Sequence, residues 1–303
     1  MRRLILALLV LGLAGAAFWF FTMPASVTAS ALPAYSPNVQ NGKTMFFIGG
    51  CASCHATPDQ DDPIRLGGGR ELKSPYGSFY PPNISSDSKD GIGSWTEAQF
   101  VTAIWKGTSP DGRHYFPSFP YTSYQRMKLD DVRDLFAYLK TLPAVRGKVR
   151  DHDLRFPLSV RRMLGLWKLR YLDGKPFARN PAQNEPWNRG AYLVNGPGHC
   201  AECHSPRDAF GGIIERQRFA GGPSLDGEGF VRNITQAGIG DFSADDIEEV
   251  LATGSTPDGD SVGGEMGAVV RNTSQLAKGD RAAIAAYIKS LPPVEGPKPP
   301  EKN

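Results

Sequence analysis

Two short stretches contain all four cysteines of the 303-residue chain: Gly49-Gly50-Cys51-Ala52-Ser53-Cys54-His55 and Gly198-His199-Cys200-Ala201-Glu202-Cys203-His204. Each sets two side-chain sulfurs three residues apart and an imidazole directly after the second. Two thiols three residues apart with an imidazole directly after the second, made twice, call for a single chemical explanation.

The duplication extends well beyond the cysteines. Asn83-Ile84 recurs as Asn233-Ile234, Gly91-Ile92-Gly93 as Gly238-Ile239-Gly240, and Pro110-Asp111-Gly112 as Pro257-Asp258-Gly259. "AYLKTLP" at Ala137 to Pro143 recurs as "AYIKSLP" at Ala286 to Pro292. The order is kept at a period of about 150 residues, the mark of an internal repeat. Each copy shows three helix candidates. The first leads into the cysteines, around Val39 to Ile48 and Trp187 to Val194. The second starts at Thr96 with Gln99 three residues on and stops at Gly107; its partner runs from Ser243 to Gly254. The third carries Val132, Leu135, Phe136 and Leu139 at helical spacing, matched by Ile284, Tyr287, Ile288 and Leu291. No segment alternates as a strand does, and Gly and Pro crowd the joins, so a loop-rich, mostly helical protein is expected.

At the N-terminus Arg2 and Arg3 precede an uncharged run from Leu4 to Met23, about 20 residues and long enough to cross a bilayer. Trp19, Phe20 and Phe21 stand where interfacial aromatics are favoured. The positive flank places the N-terminus in the cytoplasm and the rest of the chain outside the inner membrane. A cleaved signal peptide is the competing reading, with Ala29-Ser30-Ala31 as a cleavage site. The run is long for a signal core, which favours a retained anchor. The formal charge of +3 falls to +1 without Arg2 and Arg3, too little to suggest a nucleic-acid partner.

Three chemistries compete for the cysteine motif. A redox or structural disulfide needs no histidine, and the strand-helix-strand setting of thioredoxin-like pairs is missing. Zinc would need His55 or His204 to share a tetrahedral site with the adjacent Cys54 or Cys203, which is sterically awkward. Covalent haem c uses every element: two thioethers anchor the vinyl groups and the next imidazole binds the iron. Two motifs in an exported repeat with no spare cysteine point to two haem c groups, bound through Cys51, Cys54, His55, Cys200, Cys203 and His204. A large flat apolar ring in each copy would also give the long loops something to pack on.

A six-coordinate carrier iron needs a second axial ligand, and Met thioether raises its potential. Of six methionines, Met1 and Met23 belong to the N-terminal run, Met45 precedes the first motif and Met163 lies between the repeats. Met127 and Met266 remain, one per copy, each before the last helix. Met127 lies four residues before Asp131, whereas Met266 lies fourteen before Asp280. The two loops would therefore present sulfur differently. His114 is a rival for the first iron, against a surface role in its turn. His152 and His199 read as non-ligating. Asn83-Ile84, Asn233-Ile234, Arg232 and Trp95 are either haem-edge contacts or ordinary loop packing.

Between the copies, Arg146 to Lys175 holds nine Lys or Arg against three Asp. It reads either as a strap across both halves with its charges in water, or as a docking surface for an acidic partner or anionic lipid headgroups.

The motifs, with "PPNIS…GIGSWTEAQF", "SPDGRHYFPSFPYTSY" and "NTSQL…DRAAIAAYIKSLP", resemble the cytochrome c subunits of membrane-bound bacterial alcohol, gluconate, sorbitol and fructose dehydrogenases over about residues 38 to 295. Two departures stand out. Many such subunits carry three haems where this chain has two motifs. Their first domain often has "YPAMPY" with a Met ligand where this chain has Phe119. The resemblance implies a mostly α fold with two tandem class I cytochrome c-like helical domains, each enclosing a covalent haem, after an N-terminal membrane helix.

The expected organisation is an anchor or signal at 1–30, cytochrome domains at 38–145 and 184–295, a basic strap at 146–183 and a flexible tail at 296–303. The expected function is a periplasmic dihaem electron carrier held in the bacterial inner membrane. It would take electrons from a dehydrogenase or other donor and pass them to quinone, an oxidase or another cytochrome. Its irons would be held by His55 with Met127 and by His204 with Met266. No nucleotide fingerprint or acid-base constellation marks the chain as an enzyme. The alternative is a dihaem redox enzyme of peroxidase or thiosulfate-oxidising type, which needs an open or displaceable iron position.

Overall fold

The computed structural model describes residues 1–227 and 229–299. The end of the expected tail, residues 300–303, lies outside the described residues. The framework of each half is a crossing between the helix that precedes its cysteines and the last helix of its repeat. In the first half these are α2 (Val39–Ile48) and α6 (Leu129–Thr141); in the second, α8 (Glu185–Asn195) and α13 (Lys278–Lys289). Both crossings are made at a glycine. A Cβ on Gly42 would lie 2.0 Å from the Asp134 carbonyl oxygen, and one on Gly190 would lie 1.9 Å from that of Ala283. Only glycine lets the two backbones touch, and the closeness buries Phe46, Val132, Leu135 and Leu139 in one half, and Leu193, Ile284 and Ile288 in the other.

The other elements follow the same duplicated plan. Short helices α3 (Cys51–His55) and α9 (Ala201–His204) carry the motifs. Helix α4 (Glu97–Lys106) starts with the expected Thr96/Gln99 capping box and ends at Gly107 in the left-handed region. Further along are α5 (Tyr121–Tyr124), α7 (Leu164–Tyr171) and α10 (Gln236–Ile239). Helix α11 (Ala244–Thr253) has its own box, Ser243/Asp246, and its own left-handed Gly254. Helix α12 (Gly264–Thr273) was not legible in the sequence, since Gly264 and Gly267 depress its propensity. It is held by tertiary bonds, the Thr273 hydroxyl donating to the Leu251 carbonyl at 2.6 Å and Asn272 Nδ2 to Ser53 Oγ at 2.9 Å. Strands are two or three residues long: β1 (Leu72–Ser74), β2 (Gly77–Phe79) and β3 (Asp153–Leu154) form one antiparallel sheet, and β4 (Gly222–Pro223) pairs with β5 (Phe230–Val231).

Helix α1 (Arg2–Phe21) is the one described helix long and apolar enough to cross a membrane, and none of it is buried. The chain after it is tied down. Thr22 is fully buried, Val27 N–H donates to Thr102 Oγ1 at 2.9 Å, and Arg133 donates to the Pro33 carbonyl at 2.9 Å.

Two expectations need correction here. His114 is not a surface residue: it is 3% exposed, with Nε2 donating to the Thr22 carbonyl at 2.9 Å. That bond uses the ring nitrogen on the end of α1 and leaves His114 no role as rival ligand through Nε2. Nor do all the strap's charges stand in water. Lys168 is buried, its Nζ donating to the carbonyls of Lys106 and Gly107 at 2.6 Å each, and burial pushes its ammonium down to about 7.

The glycine crossings give a paired expectation. Gly190→Ala forces the helices apart and should cost roughly 1–3 kcal/mol or more, as overpacking does. Gly279→Ala, also helical but with open space around its Cβ, should be neutral or stabilise by about 0.5–1 kcal/mol. Denaturant melts of the two variants check the contrast.

Candidate functional site

The first cysteine of each motif directly follows a residue in the left-handed region. Before Cys51 this is Gly50, φ 57°, where glycine is at ease. The equivalent before Cys200 is His199, φ 40°, an uncommon conformation for a side-chain-bearing residue. The His199 ring holds it there: Nε2 donates to the Gly49 carbonyl at 3.3 Å, and the ring stands edge-on to Tyr124 at 5.5 Å.

The imidazoles are oriented identically in the two copies. His55 Nδ1–H donates to the Pro82 carbonyl at 2.8 Å, and His204 Nδ1–H to the Arg232 carbonyl at 2.8 Å. A carbonyl can only accept, so the proton is on Nδ1 and Nε2 keeps its lone pair. Burial lowers the pKa of both rings, with the carbonyl bond opposing it, so the neutral ligating form is held. A backbone partner on the second nitrogen is how proteins aim a metal-binding histidine.

The loop that supplies this carbonyl is clamped by a buried asparagine. Asn83 Oδ1 accepts from Ser85 N–H at 2.9 Å, and its Nδ2 donates to the Val145 carbonyl at 2.7 Å. Asn233 repeats both contacts with Thr235 and Val294, each at 2.8 Å. The same loop passes Gly68 and Gly221, whose N–H groups donate to the carbonyls of His55 and His204 at 2.9 and 2.8 Å. A Cβ at Gly68 would fall 2.4 Å from the Pro81 carbonyl oxygen, and one at Gly221 2.6 Å from that of Val231. The two asparagines thus bind the chain beyond the last helix. Arg232 places its guanidinium 5.2 Å from the Phe242 ring.

The sulfurs fit thioether chemistry better than thiolate chemistry. Surrounding protein pushes the thiols of Cys51 and Cys200 up to about 12, the reverse of a reactive or zinc-binding cysteine. Among the described residues, no three His, Cys, Asp or Glu side chains converge as a metal cage would require. Two neutral thiols on one turn, followed by an imidazole with a free Nε2, are the donor set that haem c requires.

The expected axial methionines differ in setting. Met266 is partly buried on the first turn of α12. Met127 is 1% exposed, packed within the core of the first half, and its carbonyl accepts from Trp105 Nε1 at 3.1 Å. The turn bonds around it reproduce those around Leu276: Met127 N–H donates to the Tyr124 carbonyl as Leu276 N–H does to that of Thr273, and Gln125 N–H to that of Tyr121 as Ser274 N–H does to that of Val270. Met127 thus occupies the register of a core leucine, with no side-chain surface left uncovered.

Contact between the two motifs was not legible from their spacing. Besides the His199–Gly49 bond, a Cβ on Gly198 would meet Ile48 at 3.2 Å, and Arg70 bridges from the Ser53 carbonyl at 2.9 Å to Glu265 at 3.0 Å. Glu202, inside the second motif, is buried and ties it to the first half. Its carboxylate accepts from Thr122 and Ser123 at 2.8 Å each and pairs with Arg207 at 2.7 Å. Burial raises its pKa, but the Arg207 charge and the hydroxyl bonds outweigh this and hold it below the usual range. The depressed pKa makes its contribution present above the ordinary carboxylate range and lost as pH falls through the folded value. Glu202→Gln should cost roughly 1.5–3 kcal/mol at neutral pH. The gap from the parent protein should persist at pH 5 and close below about 4.3 in denaturant melts.

Comparison with known proteins agrees with this chemistry. The cytochrome c family model matches residues 39–143. A diheme cytochrome c-type protein of Cereibacter sphaeroides is 47% identical over 97% of this chain and its own entire length. The alcohol dehydrogenase (quinone) cytochrome c subunit of Gluconacetobacter polyoxogenes is 36% identical over 91% of this chain and 60% of its own. The fructose dehydrogenase cytochrome subunit of Gluconobacter japonicus is 35% identical over 86% and 54%. The chain thus spans little more than half the length of these dehydrogenase subunits but all of the dihaem protein. With two motifs built alike and matched along its whole length, the chain belongs to the dihaem c-type cytochromes.

Proposed function

We propose that this chain is a membrane-anchored periplasmic electron-transfer protein, with haem domains at 38–145 and 184–295 joined by the strap at 146–183. It takes electrons from a dehydrogenase, or another donor of that kind, and delivers them to quinone, an oxidase or a further cytochrome of the respiratory chain. The observation that carries this reading is the direct contact between the two motifs, from Gly49 to His199. Electron tunnelling falls off exponentially with distance, so a chain that conducts must hold its cofactor-bearing segments together. The resemblance to dehydrogenase cytochrome subunits supports the donor class.

When bound, each haem c supplies a one-electron iron couple. The residues that hold it are Cys51, Cys54 and His55 in the first domain and Cys200, Cys203 and His204 in the second. The cysteines fix the ring to a helix, the imidazoles are held by Pro82 and Arg232, and Met266 is the sixth ligand of the second iron. Met127 is the one expected ligand that the packing does not support, and we read it as a core residue. Retention of the anchor is supported by Thr22 and Val27, which lie before any cut at Ala31 and belong to the packed body.

The setting of Met127 favours a second reading, in which the first iron has a displaceable position and does redox catalysis. Optical and EPR spectra of the full-length holoprotein address the ligands directly. Met266→Leu should abolish a Met-ligated low-spin signal. Met127→Leu should leave the haem spectra unchanged and cost less than about 1.5 kcal/mol, as volume-conserving swaps do; a spectral change would restore Met127 as a ligand. The reduced protein should pass electrons rapidly to a quinone or an oxidised soluble cytochrome, while the reduced protein should not turn over peroxide nor the oxidised protein thiosulfate. Sustained turnover of either would replace the carrier reading with the enzyme one.

A further inference from the structure

Helix α7 turns apolar side chains outward. Leu164, Gly165 and Lys168 are its buried residues, whereas Met163, Leu166 and Leu169 are exposed, Leu169 at 62%. At about 100° per residue the first three share one side of the helix and the second three lie around the other. The turn before it exposes Phe156 at 83%, with Leu158 and Val160. Beside α7 stands Phe210, 69% exposed; Trp167 Nε1 donates to its carbonyl at 2.9 Å and the Arg170 guanidinium is 5.8 Å from its ring. Single exposed apolar residues are ordinary, but a run like this marks an interaction surface. Exposed Arg155 and Arg170 flank it.

The place of α7 in the molecule identifies the occupant. A Cβ on Gly165 would lie 2.6 Å from Thr22 Cβ, where α1 ends. Arg162 donates to the Trp19 carbonyl at 2.6 Å and to Thr22 Oγ1 at 2.8 Å, and its guanidinium lies 4.1 Å from the Trp19 ring centroid. A helix of 20 residues is about 30 Å long, the thickness of a hydrocarbon core. Trp19, Phe20 and Phe21 therefore mark the outer boundary of the bilayer. Helix α7 is only about 12 Å long and starts at that boundary, so its outward side chains stay close to the headgroup layer.

Resting on the reading of α1 as a retained anchor, we propose that the outward face of α7, the turn at 156–160 and Phe210 form a second membrane contact. Met163, Leu166, Leu169 and Phe156 sit at the boundary between headgroups and acyl chains, and Arg155 and Arg170 meet anionic headgroups. The contact fixes the haem domains against the membrane surface, where α1 alone would only tether them.

The native cysteines are taken up in thioethers, so an added cysteine is a unique site for a spin label. Full-length holoprotein carrying Leu166→Cys, Leu169→Cys or, as an exposed control, Lys278→Cys is placed in lipid nanodiscs with and without anionic phosphatidylglycerol. Power saturation then compares access of oxygen with access of a water-soluble nickel chelate. Labels at 166 and 169 should show an oxygen-to-nickel ratio several-fold above that at 278. The ratio should be higher with anionic lipid and lose that increment in Arg155→Glu/Arg170→Glu. Protein that enters discs through α1 but shows the same ratio at all three sites overturns the contact while leaving the anchor intact, and leaves the face to a protein partner. Protein that does not enter discs overturns both. Equal ratios with and without anionic lipid overturn the headgroup part.

Discussion

The Nδ1–H bond from each motif histidine to a loop carbonyl is the interaction on which the rest of each half depends. His55 can present Nε2 in a fixed direction only if the Pro82 carbonyl stays put. That carbonyl is placed by Asn83, which is itself held by the chain leaving α6. Helix α6 keeps its position by crossing α2 at Gly42, and α2 runs directly into the cysteines. The constraint is a closed ring: helix, motif, loop, clamp, last helix and back. Every member recurs in the second half, through Arg232, Asn233, α13 and Gly190. Residues far apart in sequence therefore share one task, and a change in any of them would reach the imidazole.

The copies differ where they meet. Gly50 has a duplicate that is His199, and the larger residue tolerates the left-handed backbone because its ring reaches across to Gly49. Glu202 occupies a motif position that is Ser53 in the first copy, and its carboxylate gathers donors from both halves. Tyr192 on α8 donates its hydroxyl to Asp131 on α6. These departures from repeat symmetry are joints, and they tie the two halves together beside the motifs.

The frame was legible in the sequence because it is local. The capping box at Thr96, the helix start at Ser243, glycine stops at 107 and 254, and the helix running to Ile48 follow from neighbouring residues alone. The motif histidines stood out because their spacing from the cysteines singles them out. The settings of the two methionines did not. Counting methionines could not separate a sulfur in a core register from one on the first turn of a helix. The turn bonds that align Met127 with Leu276 exist only in three dimensions. Asn83 and Asn233 stood out by recurrence, yet the recurrence did not reveal that they clamp backbone. His114 read as a surface turn residue because its partner, Thr22, is 92 positions away.

The basic composition of the strap has a structural cause beyond any partner. A helix leaves its last carbonyls unpaired at the negative end of its dipole, and cations there are stabilising. Helix α1 has no basic residue in its last turn, and the Arg162 guanidinium donates to the Trp19 carbonyl in its place. Helix α4 ends at Gly107, and Lys168 donates to the Lys106 and Gly107 carbonyls. Arg161 adds a bond to the His114 carbonyl. The strap thus supplies C-terminal caps in trans to α1 and to a helix of the first half. Its inward cations are accounted for by those carbonyls, and the outward ones are left for whatever faces α7. One short segment joins α1 to the packed body on its inner side and leaves an apolar face on its outer side.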